Sequence, residues 1–277
     1  MTIEESKTAR IVLAAAGMPD MCAKTAELIW EATRRDPAAL GVDIEQVLRD
    51  TDRIGAKIIV PGDDEWPTGL HDLARGGDEP LCLWVVGDLA ACLDRPAVAI
   101  VGSRAATAYG ETIARQWAGD IAEPGHAVVS GGAYGIDAAA HRGALAAGGK
   151  TVAVMAGGLD QPYPPGNKDL LARIGETGAL VSERPPGFPP SRTSFVARNR
   201  LIAAMAKTTL VVEGGHRSGA ESTASWATTL RRTLMAVPGP VTSAVSALPH
   251  KLVREGRAVL ASDVEDVLRE LSDEARP

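Results

Sequence analysis

The chain has 277 residues, of which 45% are hydrophobic, 23% charged and only 4% aromatic. That balance excludes wholesale disorder and requires a core built mostly from Ala, Val, Leu and Ile. The formal net charge is −6 but unevenly spread: residues 1–94 hold nine bases against 18 acids, whereas Arg184 to Arg232 holds eight bases and two acids, so a polyanion is not excluded as a partner.

The N-terminal residues MTIEESKTAR carry acids where a secretory signal needs bases, with no long apolar segment before a cleavage site, so no signal peptide is expected. No apolar run reaches the ~18 residues of a membrane span. Residues 10–16 and 23–34 place Ala, Leu, Ile and Glu at helical spacing, Pro37 follows the second, and residues 44–51 form a third, shorter helical stretch. A helical region over residues 1–54 is therefore expected, followed by the main domain over 55–277. Apolar runs at 57–60, closed by Pro61-Gly62, and at 81–86, closed by Gly87-Asp88, read as strands. Cys22, Cys82 and Cys92 are odd in number and form no CxxC. Neither a disulfide framework nor a structural zinc site is expected, and a reducing cytoplasm is the simplest location.

From Arg95 onward, short apolar runs alternate with helical stretches. The runs are 97–101, 127–129, 151–155, 179–181, 209–212, 234–237 and 258–260; the clearest helices are 111–122, 136–147, 168–174, 195–206 and 221–232. Continuous apolar runs are the mark of parallel strands buried on both faces. The alternation predicts right-handed βαβ units and an α/β, doubly wound, mostly parallel sheet, extended and Rossmann-like. Ligands of such sheets bind beyond the carboxyl ends of the strands.

Five strand-end loops follow. Gly102-Ser103-Arg104 after the first run has the outline of an anion site at a helix start, with a solvated Arg at a tight turn as the plainer reading. The second, Ser130-Gly131-Gly132-Ala133-Tyr134-Gly135, allows close backbone approach to a ligand. Asp137 and His141, one helical turn apart beyond it, suit a structural pair better than acid–base work or metal binding. In the third, Asn167 and Lys168 begin a helix and either cap it or face an anion. The fourth, Arg192 to Arg200, sets bases around Phe195, Arg198, Asn199 and Arg200. That mixture suits single-stranded nucleic acid, unless Phe195 is simply core. The fifth, Glu213 to Gly219, offers Ser218 as an N-cap beside Gly219. Neither GxGxxG nor GxxxxGK[ST] occurs, nor do GxSxG and HExxH, so no cofactor, metal or nucleophilic catalysis is expected.

The segments Ala-Ile-Val-Gly-Ser-Arg (99–104), Ser-Gly-Gly-Ala-Tyr-Gly-Ile-Asp-Ala-Ala-Ala-His (130–141), Gly-Leu-Asp-Gln-Pro-Tyr-Pro-Pro-Gly-Asn (158–167), Leu-Val-Ser-Glu (180–183), Arg-Asn-Arg-Leu-Ile-Ala (198–203) and Ala-Val-Pro-Gly (236–239) resemble, in order, those of the DprA/Smf family of DNA-processing proteins. The resemblance runs from about residue 58 to about residue 268. It implies an extended Rossmann sheet and non-enzymatic binding of single-stranded DNA in DNA uptake (natural transformation) and recombination. It also implies protection of incoming strands, loading of the recombinase RecA, and a homodimer. It places Arg104, the Ser130-Gly131 turn, Asn167 and the run Arg198-Asn199-Arg200 in a DNA pocket. Tyr134 stands where the family usually has Arg, and is expected either to stack on a base or to pack under its neighbouring loop. Ala220-Glu221 departs from the usual Ser-Gly-Ser-hydrophobic stretch and sets an acid near a phosphate site. Many members carry a C-terminal winged-helix domain, which is not expected here because the sequence ends soon after its last helix. The alternative is a nucleotide-binding or phosphoribohydrolase-like enzyme on the same sheet, whose PGGxGTxxE loop residues 213–221 resemble only loosely.

Overall fold

Nine strands form one sheet in the computed structural model, which describes residues 3–18, 23–33 and 35–272. They are β1 (Lys57–Ile59), β2 (Leu83–Gly87), β3 (Val98–Val101), β4 (Val128–Ser130), β5 (Thr151–Val154), β6 (Ala179–Ser182), β7 (Thr208–Val211), β8 (Thr233–Ala236) and β9 (Val259–Leu260). Their spatial order is β1-β2-β6-β5-β4-β3-β7-β8-β9. All pairings are parallel except β1–β2 and β2–β6. Each strand coincides with an apolar run of the sequence. Cys22 and Arg34, the expected end of the second helix, lie outside the described residues.

The runs are continuous because helices cover both faces of the sheet. Successive side chains of β3 point to opposite sides: Ala99 and Val101 join one apolar cluster, Val98 and Ile100 another. The first face is covered by α4 (Leu89–Cys92), α8 (Arg192–Ala204), α9 (Ala220–Thr229) and α10 (Ala247–Arg254), with a 3-10 segment over Thr68–Gly76. The opposite face carries α5 (Ala108–Ala122), α6 (Ile136–Ala146) and α11 (Val264–Leu271), then α7 (Lys168–Thr177) toward the β2 edge. The N-terminal helices α1 (Ile3–Ala15), α2 (Ala23–Ala32) and α3 (Ile44–Arg53) share that second face. Leu13, Ala14 and Ala26 pack in one cluster with Trp84, Met155 and Leu171, and Trp84 Nε1 donates to Thr51 Oγ1 at 3.0 Å.

Several helices begin or occur where the sequence reading did not put them, among them α4, α5, α8, α10 and α11. Helix α8 starts at Arg192, three residues before the expected 195. Ser191 accepts the Ser194 amide at 3.1 Å while the Ser191 amide donates to Ser194 Oγ at 2.8 Å, a reciprocal cap that fixes the first turn. Helix α11 was not anticipated, although Asp263 caps it and Val264, Val267, Leu268 and Leu271 repeat at helical spacing. Strands β4, β5 and β6 fan out on one side of β3, and β7 and β8 on the other. The connectivity therefore reverses at β3, where a crevice forms beyond the strand ends.

Candidate nucleic-acid interface

A cleft of about 990 Å³ lies at this reversal. Its walls come from residues 102–105 after β3, Ala133 and Asp137 at the start of α6, Tyr163 after β5, the first turns of α8 and the loop leading into α9. Four guanidinium groups, Arg104, Arg192, Arg198 and Arg217, line it against one acid, Asp137. Arg104, Arg192 and Arg217 are exposed, so their charge faces solvent at the mouth. The balance suits a polyanionic ligand.

Phe195 organises the centre. It is half-buried, with the Arg104 guanidinium 5.0 Å and the Arg198 guanidinium 5.9 Å from its ring centroid. Both distances fall within cation–π range. The Tyr163 ring lies 5.6 Å away and is tilted by 59°. Arg198 is only 4% exposed; its Nη1 donates to Val154 O, at the end of β5, and its Nε has no hydrogen-bond partner. Burial lowers its pKa to about 10, against the opposing pull of Asp137. Burial likewise raises the Asp137 carboxyl, while Arg198 and the Ala133 amide, at 3.3 Å, act to lower it.

Close packing explains the glycines. A Cβ on Gly131 would collide with the Arg198 guanidinium, and one on Gly102 would meet Ile136 Cγ1 at 2.6 Å. Ser103 O accepts the Ile136 amide at 3.2 Å, which ties the β3 loop to α6. Glu213 ties it to the β7 loop by accepting from the Thr107 amide at 2.9 Å and Thr107 Oγ1 at 2.5 Å. Asn199 Nδ2 donates to Gly219 O at 3.3 Å and joins α8 to the start of α9, beside Ser218.

Of the residues expected from sequence, the cleft gathers Gly102, Ser103, Arg104, Phe195, Arg198, Asn199, Ser218 and Gly219. The others serve it from behind or stand apart. Ser130 is fully buried and its hydroxyl donates to Ile100 O at 2.6 Å, so it has no donor left for a phosphate. Gly131 lies under Arg198 rather than on the surface. Asn167 is buried and donates to Gly132 O at 2.9 Å and Ala133 O at 3.2 Å, which braces one strand-end loop on another. Lys168 is exposed on α7, outside the cleft lining. Arg200 is 2% exposed; it forms a two-pronged pair with Glu183 at 2.9 and 2.5 Å and donates Nε to Asp78 O at 2.8 Å. Tyr134 is exposed but its hydroxyl accepts the Gly166 amide at 3.2 Å, the packing alternative of the sequence reading.

His141 is wholly buried with Nδ1 2.7 Å from Thr151 Oγ1, so it makes no pair with Asp137. The Glu221 carboxylate is ion-paired with Lys251 on α10 and adds no free acid to the cleft. Tyr163, Arg192 and Arg217 were in the right loops but not singled out.

The model of the family DNA recombination-mediator protein A matches residues 57–272. A Mycobacterium tuberculosis protein named for DNA processing, DprA, is 49% identical over 262 residues, covering 88% of this chain and 66% of that protein. The chain thus spans just under two thirds of that relative. The X-ray structure of DNA processing protein A from Streptococcus pneumoniae superposes with a TM-score of 0.78 at 35% identity, over 87% of this chain and 84% of that one. DNA processing protein A from Helicobacter pylori, whose structure is described for its single-stranded DNA binding mode, gives a TM-score of 0.69 at 29% identity, over 78% and 95%. These matches show that the chain belongs to the DNA recombination-mediator protein A family, the DNA-processing proteins also called DprA or Smf.

Proposed function

We propose that this chain binds single-stranded DNA without catalysis, with the DNA backbone running through the Arg-lined cleft. The observation that carries this reading is the cluster of Arg104, Arg198, Phe195 and Tyr163 at the strand ends. It joins phosphate-binding forks to aromatic surface, the combination that suits single strands. The Helicobacter relative's single-stranded DNA binding supports it. The motif resemblance supports action as a homodimer that protects incoming strands and loads RecA during DNA uptake and recombination, and the odd cysteine count supports a cytoplasmic location.

The test is fluorescence anisotropy with a labelled 20-nucleotide dT strand and a duplex of equal length over a salt series. The single strand should bind more tightly, and log K should fall with log salt by about 0.7 for each phosphate neutralised. Equal affinity for the duplex refutes the reading. Release of adenine from AMP by the purified protein would replace it with the phosphoribohydrolase-like alternative. Light scattering tests the dimer, and RecA filament formation on strands coated with single-strand binding protein tests the loading.

A further inference from the structure

We infer that Asp160, an acid outside the cleft lining, keeps two walls of the cleft aligned by latching the proline-rich segment that leads into α8. This rests on the single-stranded DNA reading above and adds a positioning residue to it. Between β6 and α8 the chain runs Pro185-Pro186-Gly187-Phe188-Pro189-Pro190. Each proline fixes its own φ, so the segment turns chiefly at Gly187, whose φ is 84°. The Gly187 amide donates to Asp160 Oδ1 at 2.8 Å. The segment lies directly on the loop after β5: the Gly158 amide donates to Phe188 O at 2.9 Å, and a Cβ on Gly158 would collide with Pro185 O. Arg184, 8% exposed, sets its guanidinium 4.8 Å from the Phe188 ring centroid, within cation–π range.

The two stretches joined in this way carry different walls of the cleft. The loop after β5 goes on to Tyr163, and the proline-rich segment goes on through Pro190 and Ser191 to Arg192 and Phe195. The Tyr163 and Phe195 rings meet at 5.6 Å, so a shift of either stretch changes the gap between the walls. Both ends of the segment are fixed. At one, the Arg184 amide donates to Ser182 Oγ at 3.0 Å, which donates to Gly157 O at 2.8 Å. At the other stands the Ser191–Ser194 cap. Between them, the Gly158–Phe188 bond is backbone to backbone, and the Gly187–Asp160 bond depends on a side chain. Asp160 also adds negative charge near a site for a polyanion, and removing an acid there should strengthen binding. A latch reverses that sign.

The experiment separates the hydrogen bond from the charge. Binding of dT20 by wild type, D160N and D160A is measured by anisotropy, with hydrogen exchange on the same chains free of DNA. D160N keeps the Oδ1 acceptor and drops the charge; D160A drops both. D160N should bind at least as tightly as wild type. D160A should bind about three- to thirtyfold more weakly, as fewer chains hold an aligned cleft, with the salt slope unchanged because every cleft arginine remains. Exchange at the Gly187 amide and in the first turn of α8 should quicken in D160A alone, while β5 and β6 keep wild-type protection. D160A binding as tightly as wild type or more so, D160N binding as weakly as D160A, or Gly187 exchange unchanged in D160A overturns the latch and leaves the DNA reading intact. So does quickened exchange throughout β5 and β6, which would mark a general loss of stability. Failure of the wild-type chain to bind dT20 overturns the DNA reading and this assignment with it.

Discussion

Arg198→Ala separates a buried strut from a surface contact. Arg198 is 4% exposed, and its Nη1 bond to Val154 O spans from α8 to the end of β5. Losing that bond strands a buried carbonyl, at about 1–3 kcal/mol. Removing the stem leaves a void between Gly131 and Phe195, on the scale of a buried Met→Ala change, about 2–5 kcal/mol. Asp137 also loses the cation that opposes its burial. Against these losses, burial holds Arg198 at about 10, below its ordinary 12.5, so discarding the charge returns roughly 3 kcal/mol. The terms sum to a net destabilisation of about 0–5 kcal/mol, centred near 2–3, read as a lower urea midpoint with an unchanged slope. Arg104→Ala, at an exposed position, should stay within about 0.5 kcal/mol of wild type in the same assay. An Arg198→Ala chain as stable as wild type would refute the strut. Both residues belong to the strand-end loops named from the sequence, but burial within α8 separates Arg198 from the exposed Arg104.

Arg104→Ala should weaken dT20 binding by about 1.5–3 kcal/mol, the worth of a charged hydrogen bond, and flatten the salt slope by about 0.7, both by anisotropy. Glu183→Gln breaks the buried pair with Arg200, both partners being 3% exposed or less at the side chain; it should lower stability by about 3–5 kcal/mol in urea, while dT20 affinity of the folded protein at low temperature stays unchanged. Burial lowers the His141 pKa from 6.5 to about 3, so the folded state keeps the ring neutral where the unfolded chain takes up a proton. Stability from this group is full above about pH 6.5 and is lost as pH falls toward 3; urea midpoints measured across that window should decline for wild type and decline less for His141→Leu.

The sheet was legible because its physics is written in unbroken letters. Val98 to Val101 and Thr151 to Val154 are buried at every position, and a strand covered on both faces has no polar interruptions to obscure it. The segments that escaped reading are short or irregular. The turn over Thr68–Gly76 is 3-10, with Leu70 and Leu73 three apart, and α10 carries Pro249 near its start. A proline there is tolerated because the first helical amides have no intrahelical partner, but in sequence it reads as a break.

The site was legible by loop and not by side chain, and α8 shows why. Ligand-contacting and scaffold-holding groups are drawn from the same residue types: Ser130, Asn167 and Arg200 are all plausible phosphate donors, and all three donate instead to carbonyls or a carboxylate inside the protein. Composition cannot separate the two uses, but helical geometry can. At 100° per residue, Arg192, Phe195, Arg198, Asn199 and Ile202 fall on one face, and each lines the cleft. Arg200 stands two residues from Arg198, about 200° around the axis, so both cannot look the same way. Once the Ser191–Ser194 cap starts the helix at Arg192, the face toward the cleft follows, and Arg200 belongs to the other face, where Glu183 meets it.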